Sequence, residues 1–218
     1  MTENLTQISN DSLNATTPGL EWRVAGVDEA GRGPLAGPVV AAAVILDPDD
    51  PIEGLGDSKA LTERRRRLLF SQIRTRALIG VGIAEPAEID RLNILHATMA
   101  AMARAVSRLA IIPNLALIDG NRVPPGLPCR AEAIIKGDAS EACIGAASII
   151  AKTIRDDLMI QASRRFHGYG LEGHKGYPSP AHRAVLETQG ATPIHRRSYA
   201  PVKAVLESRF STNANRCG

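Results

Sequence analysis

Apolar and polar positions divide this chain into short buried strands and longer helices. The run from Pro38 to Leu46 is apolar at nearly every position, which indicates a strand buried on both faces. A short glycine-rich segment separates it from the first apolar run, so the two are predicted to form an antiparallel hairpin. The five predicted strands are Trp22 to Asp28, Pro38 to Leu46, Ala77 to Ala84, Asn114 to Ile118 and Arg130 to Ile135.

Helical periodicity fills most of the intervals between the strands. From Pro86 to Leu109, apolar side chains recur at intervals of three and four, and proline suits a first helical turn. The other predicted helices are Glu63 to Arg76, Ser140 to Phe166, Pro180 to Gln189 and Ser198 to Phe210. This order of elements predicts an α/β fold, with a mixed sheet that is antiparallel at first and has helices packed against it.

Length and local composition predict one folded region between two tails. Residues 1–20 are rich in Asn, Thr and Ser, so we expect a disordered tail there. The length of 218 residues suits one domain, expected over residues 21–210 with C-terminal helices from about residue 179. Residues 211–218 are expected to fray.

Charge, cysteine usage and hydropathy narrow the class of protein. The net charge of +3 permits a polyanionic partner without requiring one. Three cysteines without C-x-x-C spacing argue against a disulfide framework or a zinc site. No apolar run approaches the ~18 residues of a membrane span, and the N-terminus lacks a signal-peptide core. We therefore expect a cytoplasmic protein with no membrane association.

Acidic residues follow three of the predicted strands. Asp28 and Glu29 end the first, Asp119 follows the fourth, and Asp138 follows the fifth. Because sites in α/β sheets form beyond strand ends, four converging carboxylates would give an oxygen-rich site for Mg²⁺ or Mn²⁺. The alternative is that these acids only terminate strands, since Asp is common in turns.

The adjacent pair poses a geometric problem. Side chains of a regular strand alternate between faces, so Asp28 and Glu29 cannot both point into one site there. Either the strand breaks at Asp28, or Glu29 acts through its backbone carbonyl or from behind the site.

Two further stretches carry candidate chemistry. The turn Gly31-Arg32-Gly33 exposes backbone groups and admits close approach of a ligand, although a plain hairpin turn is the alternative. It lacks the Gly-Lys-Ser/Thr of a phosphate-binding P-loop. The run Arg64 to Arg67 is interpreted first as a solvated helix face, with a phosphate-facing patch as the alternative.

Seven stretches, in order, resemble the ribonuclease HII family, the type 2 ribonucleases H. They are Gly26 to Val39, Asp57-Ser58-Lys59, Leu92 to Met99, Leu117 to Asn121, Lys136-Gly137-Asp138, Ala146 to Lys152 with Arg155-Asp156, and His174 to Pro178. The similarity extends from about Trp22 to Leu206. It implies a ribonuclease H-like fold, with a five-stranded mixed sheet flanked by helices and a C-terminal helical extension.

The resemblance also implies an activity. The enzyme would hydrolyse the RNA strand of RNA/DNA hybrids and incise duplex DNA 5′ to single embedded ribonucleotides. The catalytic and metal-binding positions would be Asp28, Glu29, Asp119 and Asp138. Two Mn²⁺ or Mg²⁺ ions would support in-line hydrolysis, which leaves 5′-phosphate and 3′-hydroxyl ends.

Substrate-binding residues follow from the same resemblance. Gly31-Arg32-Gly33 would sense the ribose 2′-hydroxyl, and Tyr177 would stack beneath the adjoining deoxyribose. Candidate phosphate contacts are Lys59, Ser148, Lys152 and Lys175, with ordinary solvated or helical residues as the alternative. We expect a monomer that binds hybrid or ribonucleotide-containing duplexes, and the C-terminal tail shows no clear sliding-clamp peptide.

Two other functions stay open at this point. One is a different acid-cluster phosphoryl hydrolase, such as a sugar phosphatase, which would leave the Gly-Arg-Gly turn and Tyr177 without a role. The other is a non-catalytic binder of hybrid duplexes. Four acids facing a phosphate backbone disfavour that function, because they repel phosphate unless metals intervene.

Overall fold

Five strands form a single mixed sheet in the computed structural model, which describes residues 23–56 and 61–214. The order across the sheet is β3-β2-β1-β4-β5. The strands are β1 Val24–Ala30, β2 Val39–Leu46, β3 Ala77–Ala84, β4 Leu115–Asp119 and β5 Arg130–Ile134. All five predicted strands are confirmed. The main change is that β1 continues past Asp28 to Ala30.

Strand directions agree with the predicted mixed sheet. β1 pairs antiparallel with β2, and β2 pairs antiparallel with β3. β4 pairs parallel with both β1 and β5. Because parallel neighbours end at the same edge of a sheet, β1 and β4 deliver their C-terminal residues to one place.

Helices cover both faces of the sheet. They are α1 Glu63–Arg76, α2 Pro86–Ser107, α3 Gly137–Ser140, α4 Ala142–Arg165, α5 Leu171–His174, α6 Pro180–Gln189 and α7 Ala200–Ala214. One apolar core lies between α2 and the sheet, where Ala101 and Val27 are fully buried. A second lies between the sheet and the pair α1 and α4, around Leu69 and Ala147.

The helix predicted from Pro86 to Leu109 contains a break. Asn93 has φ 64° and ψ 166°, so the helical backbone is interrupted there. Its side-chain oxygen accepts hydrogen bonds from the amides of Leu95 and His96 at 3.0 and 3.2 Å. Asn93 therefore starts the second segment as an N-cap would, because its short amide side chain satisfies the free N–H groups.

The C-terminal helix is longer than predicted. α7 runs to Ala214, beyond the expected end at Phe210, so part of the region expected to fray is helical. The predicted tail at residues 1–20 and residues 215–218 lie outside the described residues. Among the helices within 23–56 and 61–214, none has the length and apolar character that crossing a membrane requires.

Helix α4 lies against the backbone of the central strand at Gly26. A Cβ atom built on Gly26 would lie 2.1 Å from the carbonyl carbon of Cys143 and 2.2 Å from the nitrogen of Ile144. The absence of a side chain at Gly26 is therefore required for this approach. The contact brings Ser148 and Lys152 of α4 to the end of β1.

We predict that Gly26→Ala destabilises the fold, because the added methyl group would overlap backbone atoms that cannot move without displacing α4. The expected loss is about 3 kcal/mol, which lowers the melting temperature of a chain of this length by roughly 10 °C. Thermal unfolding followed by circular dichroism measures this.

Gly173→Ala is the matched control, since no heavy atom lies within 4 Å of a Cβ built there. An unchanged melting temperature for Gly26→Ala would contradict the close approach of α4 to β1.

Candidate active site

A cavity of about 420 Å³ opens beyond the ends of β1 and β4. It collects residues from five separate parts of the chain, so only the folded structure assembles it. The residues that line it are Asp28, Glu29, Ala30, Gly31, Arg32, Gly33, Arg66, Asp119, Ser148, Lys152 and Tyr177.

Asp28 and Glu29 both line this cavity although β1 does not break between them. The antiparallel pairing continues through Glu29 opposite Ala41 and Ala30 opposite Val40. The parallel pairing of β1 with β4 stops at Val27. The cavity therefore lies at the end of the sheet rather than on one face, where successive side chains can both reach it. A break at Asp28, one of the two expected solutions, is wrong.

The other two predicted acids lie next to each other. Asp119 lines the cavity at the end of β4. Asp138 is buried at the start of α3, and its amide lies 3.4 Å from Oδ1 of Asp119. Asp138 itself does not line the cavity, so the structure brings three of the four predicted acids to it.

Burial and neighbouring charge raise the pKa of the two adjacent carboxyl groups, Asp28 and Glu29. Burial raises the pKa of Asp28 well above its ordinary value, and the charges of Glu29 and Asp119 add to this, whereas a hydrogen bond from Ser148 opposes it. Burial also raises the pKa of Glu29, against the effect of the Arg32 guanidinium 3.3 Å away. This wall of the cavity therefore favours a bound cation.

Cationic side chains line another part of the cavity. Nζ of Lys152 lies 2.6 Å from Oδ1 of Asp156, and Nη2 of Arg66 lies 3.7 Å from Oδ2 of the same carboxylate. Asp156 is buried, and it therefore holds both cations at the cavity instead of leaving them free in solvent.

Arg66 is a site residue that the sequence-based interpretation missed. The arginine run was interpreted first as a solvated face, and Arg64, Arg65 and Arg67 are indeed exposed. Arg66 precedes the buried Leu69 by three residues, so it lies on the buried face of α1. The three- and four-residue periodicity of α1 could have separated it from its neighbours.

The Gly-Arg-Gly turn and Tyr177 lie side by side. A Cβ atom built on Gly33 would be 3.7 Å from Cε1 of the Tyr177 ring. Tyr177 is 43% exposed, so part of its surface is open to a ligand. The two predicted recognition elements are therefore neighbours, close to the carboxylates.

One of the predicted phosphate contacts within the described residues is not among the cavity residues: the side chain of Lys175 contacts the carbonyl of Glu172. Lys59 lies outside the described residues. Ser148 and Lys152, the other two, both line the cavity.

A chain of histidines lies behind the loop that carries Tyr177. The rings of His174 and His182 stack with centroids 4.3 Å apart. Nε2 of His182 lies 3.1 Å from Nε2 of His195, and Nδ1 of His182 lies 2.9 Å from the Tyr177 carbonyl. The amide of Thr192 donates to Nδ1 of His195 at 3.0 Å.

These contacts define neutral tautomers. His195 donates from Nε2 to His182, and His182 donates from Nδ1 to the Tyr177 carbonyl. The other nitrogen of each ring accepts a hydrogen bond, so a second proton there would face another N–H donor. Burial lowers the pKa of His195 to about 4, with the neighbouring His182 adding to the effect. Burial likewise lowers the pKa of His182. The histidines therefore support the Tyr177 loop only while His182 and His195 are both neutral.

The acidic wall of the cavity has the chemistry of a site for a hard divalent cation. Its donors are carboxylate oxygens, and a positive ion would offset the burial and the repulsion from Glu29 and Asp119 that together raise the pKa of Asp28. Within residues 23–56 and 61–214, no three acidic, histidine or cysteine side chains are close enough to enclose an ion alone. Mg²⁺ commonly binds one or two carboxylates and completes its shell with water and substrate phosphate, so these donors suit it.

Comparison with known proteins identifies the class. The model of the family Ribonuclease HII matches residues 25–202. A ribonuclease HII from Maricaulis maris (strain MCS10) is 76% identical over 218 residues, which cover all of both chains. The fold, the acidic cavity and these matches define an endoribonuclease of the ribonuclease H type. Within that class, the chain belongs to the ribonuclease HII family.

Solved structures agree with this result. The crystal structure of ribonuclease H2 from Pyrococcus horikoshii OT3 is similar with a TM-score of 0.72 and 31% identity, over 87% of this chain and 99% of that one. The ribonuclease HII in the PCNA complex from Archaeoglobus fulgidus is similar with a TM-score of 0.69 and 28% identity, over 81% and 95% of the two chains. The predicted ribonuclease H-like fold is confirmed.

We predict that Asp28→Asn stabilises the metal-free protein. A raised pKa means that the folded state favours the neutral carboxyl group, so stability is lost as the pH rises from the ordinary pKa of an aspartate through the raised one, and the loss is complete above it. At about pH 8 with a chelator, the neutral amide should raise stability by about 1 kcal/mol, or the melting temperature by roughly 3 °C.

Asp157→Asn is the control for this measurement, because Asp157 is exposed and pairs with Arg67 at 2.8 Å. It should bring no gain. A lower melting temperature for Asp28→Asn would show that the carboxylate stabilises the fold.

A second prediction concerns acid sensitivity. The unfolded His195 binds a proton near pH 6.5 and the folded one only near 4, so its stabilising effect is complete above 6.5 and is lost as the pH falls below that. Between pH 7 and 5, this should remove about 2 kcal/mol of unfolding free energy.

Chemical denaturation at the two pH values measures that loss in three proteins. His195→Gln should show a correspondingly smaller loss than the unmodified protein. His96→Gln, at an exposed position on α2, should behave like the unmodified protein. Equal pH dependence in all three would refute the neutral histidine chain.

Proposed function

We propose that this endoribonuclease hydrolyses the RNA strand of RNA/DNA hybrids and incises duplex DNA on the 5′ side of single embedded ribonucleotides. The products would carry 5′-phosphate and 3′-hydroxyl ends. One observation carries the proposal: the acids Asp28, Glu29 and Asp119 line the same cavity as the Gly-Arg-Gly turn and Tyr177. A ribose bound at the turn would place its neighbouring phosphodiester near the carboxylates.

Divalent ions are part of this proposal. Asp28, Glu29 and Asp119 would hold Mn²⁺ or Mg²⁺, and two such ions would activate water and stabilise the leaving 3′-oxygen in an in-line displacement. For Asp138, the support is its place in the family motif and its amide contact with Asp119. Water activated by such an ion needs no nucleophilic side chain, so water is the proposed nucleophile.

The cations of the cavity would hold the phosphate backbone. Carboxylates repel a phosphodiester, so binding needs positive charge nearby. Arg66 and Lys152 supply it from α1 and α4, and Asp156 keeps both in place. Ser148 hydrogen bonds to Asp28 and orients that carboxyl group. Lys59 and Lys175 stay sequence-based predictions for phosphate contact.

Recognition of the ribose would use the turn and the tyrosine together. The 2′-hydroxyl both donates and accepts hydrogen bonds, and it is the group by which a protein tells RNA from DNA. Backbone groups of Gly31-Arg32-Gly33 can meet it without reading a base, so recognition would not depend on sequence. The exposed ring of Tyr177 would pack against the next sugar, where an additional hydroxyl would interfere.

The wider assignments rest on the sequence. We propose one catalytic domain over residues 21–210 that acts as a monomer in the cytoplasm. A PCNA complex is known for the Archaeoglobus fulgidus protein. The C-terminal tail of this chain shows no clear clamp-binding peptide, so a sliding-clamp contact stays an open alternative and is not part of the proposal.

The test uses a DNA duplex with one labelled ribonucleotide, incubated with Mn²⁺ or Mg²⁺. We expect a single incision on the 5′ side of the ribonucleotide and none in the all-DNA duplex. Asp28→Asn and Asp119→Asn should each lower the rate at least about 1,000-fold, because they remove ligands of the proposed ions. Asp157→Asn, at an exposed residue that does not line the cavity, should keep full activity.

Three results would contradict parts of the proposal. Intact binding without incision would refute cleavage at single ribonucleotides. Incision on the 3′ side would refute the proposed geometry. Full activity of either cavity variant would refute the metal-ligand assignment.

A further inference from the structure

Two buried arginines connect the recognition elements, and the mechanism above does not use them. Arg155 of α4 and Arg196 of the segment before α7 are both 0% exposed. Both direct their N–H groups at backbone carbonyls of the segment between β1 and β2. Because burying a charge is costly, such arginines are retained only where many hydrogen bonds compensate.

Arg196 holds the Gly-Arg-Gly turn. Its Nη2 donates to the Gly31 carbonyl at 2.5 Å, its Nη1 to the Arg32 carbonyl at 2.9 Å, and its Nε to the Gly37 carbonyl at 3.0 Å. The hydroxyl of Tyr199 donates to the same Arg32 carbonyl at 2.7 Å. Both ends of the loop between β1 and β2 are thus bound to one guanidinium.

Arg155 joins that loop to the Tyr177 loop. Its Nε donates to the Pro38 carbonyl at 3.1 Å, and its Nη2 donates to the carbonyls of Ala36 at 3.3 Å and Lys175 at 2.9 Å. Its guanidinium carbon lies 5.6 Å from the centre of the Tyr177 ring. One side chain therefore contacts both recognition elements.

Gly31 makes this arrangement possible. Its φ is +99°, and a Cβ atom built on it would lie 2.1 Å from Nε of Arg155. A residue with a side chain would therefore strain the turn and displace the guanidinium at once.

Backbone hydrogen bonds complete the frame. The amide of Leu35 donates to the Gly176 carbonyl at 2.8 Å, and the amide of Arg196 donates to the Leu35 carbonyl at 2.9 Å. The amide of Gly37 donates to the Ile194 carbonyl at 2.9 Å. Three segments distant in sequence are thereby joined around the two guanidinium groups.

Both arginines keep their charge in the ordinary pH range. Burial lowers the pKa of Arg155 to about 10 and also lowers the pKa of Arg196. Both guanidinium groups nevertheless stay charged at neutral pH. A lysine would keep the charge but offers one nitrogen, so it cannot bridge several carbonyls in a fixed plane.

We propose that Arg155 and Arg196 are positioning residues for junction recognition, which hold the Gly-Arg-Gly turn in register with Tyr177 and the carboxylates. The inference rests on the proposed function, since it concerns how the turn meets the 2′-hydroxyl. Arg196 already hydrogen bonds to the carbonyls of Gly31 and Arg32. The groups of the turn that would meet the ribose are therefore its N–H groups and the Gly33 carbonyl.

A positioning role of the two arginines would affect selectivity between two substrates more than the overall rate of cleavage. A shifted turn should harm incision at a single ribonucleotide more than cleavage of a uniform hybrid, where neighbouring positions offer many alternative registers. Lost folding would instead lower both rates equally, because unfolded molecules cleave neither substrate. The ratio of the two rates, measured on one sample, therefore isolates positioning.

The experiment compares Arg155→Lys and Arg196→Lys with the unmodified enzyme at saturating substrate. We expect the ratio of single-ribonucleotide to uniform-hybrid cleavage to fall at least about tenfold in each, the effect of losing about 1.4 kcal/mol of selective stabilisation. Arg104→Lys is the matched control, because Arg104 also binds a backbone carbonyl, that of Ile83, and neither residue lines the cavity. Its ratio should stay unchanged.

The outcomes distinguish the two proposals. If the unmodified enzyme does not incise single ribonucleotides, the proposed function fails. If it does and folded lysine variants keep its ratio, the positioning role is refuted.

Should both lysine variants fail to fold, native-state hydrogen exchange of the unmodified enzyme decides. The amides of Leu35, Gly37 and Arg196 should then exchange with one common free energy of opening. Different opening free energies for the three amides would refute the proposal that their segments are held together as one unit.

Discussion

The parallel pairing of β1 with β4 is the constraint on which the rest of the site depends. It brings the acidic ends of two strands to one edge and sets their charges against each other. Burial at that edge raises the pKa of Asp28, so the protein holds an unfavourable arrangement in the absence of a cation. Its compensations are local: a hydrogen bond from Ser148, the Arg32 guanidinium beside Glu29, and a pair of cations restrained by Asp156.

The recognition elements are supported by two kinds of buried polar group that work in opposite charge states. Histidine titrates near neutrality, so burial is enough to keep His182 and His195 neutral. In that state His195 donates a hydrogen bond to His182, and His182 donates one to the Tyr177 carbonyl. Arginine begins far above neutrality, so burial leaves Arg155 and Arg196 charged and rich in donors. A turn with several backbone carbonyls to satisfy needs buried arginines of this kind, because they supply several N–H donors.

Much of the fold was predictable because it depends on local pattern. Strand β2 is apolar on both faces, and α1 and α2 repeat apolar positions with the period of a helix. The break at Asn93 was not predicted, since asparagine is tolerated within a helix and its capping role depends on the backbone angle adopted there. The family resemblance added the five-stranded topology, which periodicity alone leaves open.

Residue order and strand period are local properties, so the amino-acid sequence is enough to indicate which acids lie at or just beyond strand ends and which turn follows β1. Whether those acids meet depends on the fold: Asp28 and Glu29 both reach the cavity and Asp138 does not, because these positions depend on where β4 stops pairing with β1. The roles of Arg155 and Arg196 are likewise tertiary. Their partners are carbonyls from distant segments, and a backbone carbonyl has no signature in an amino-acid sequence.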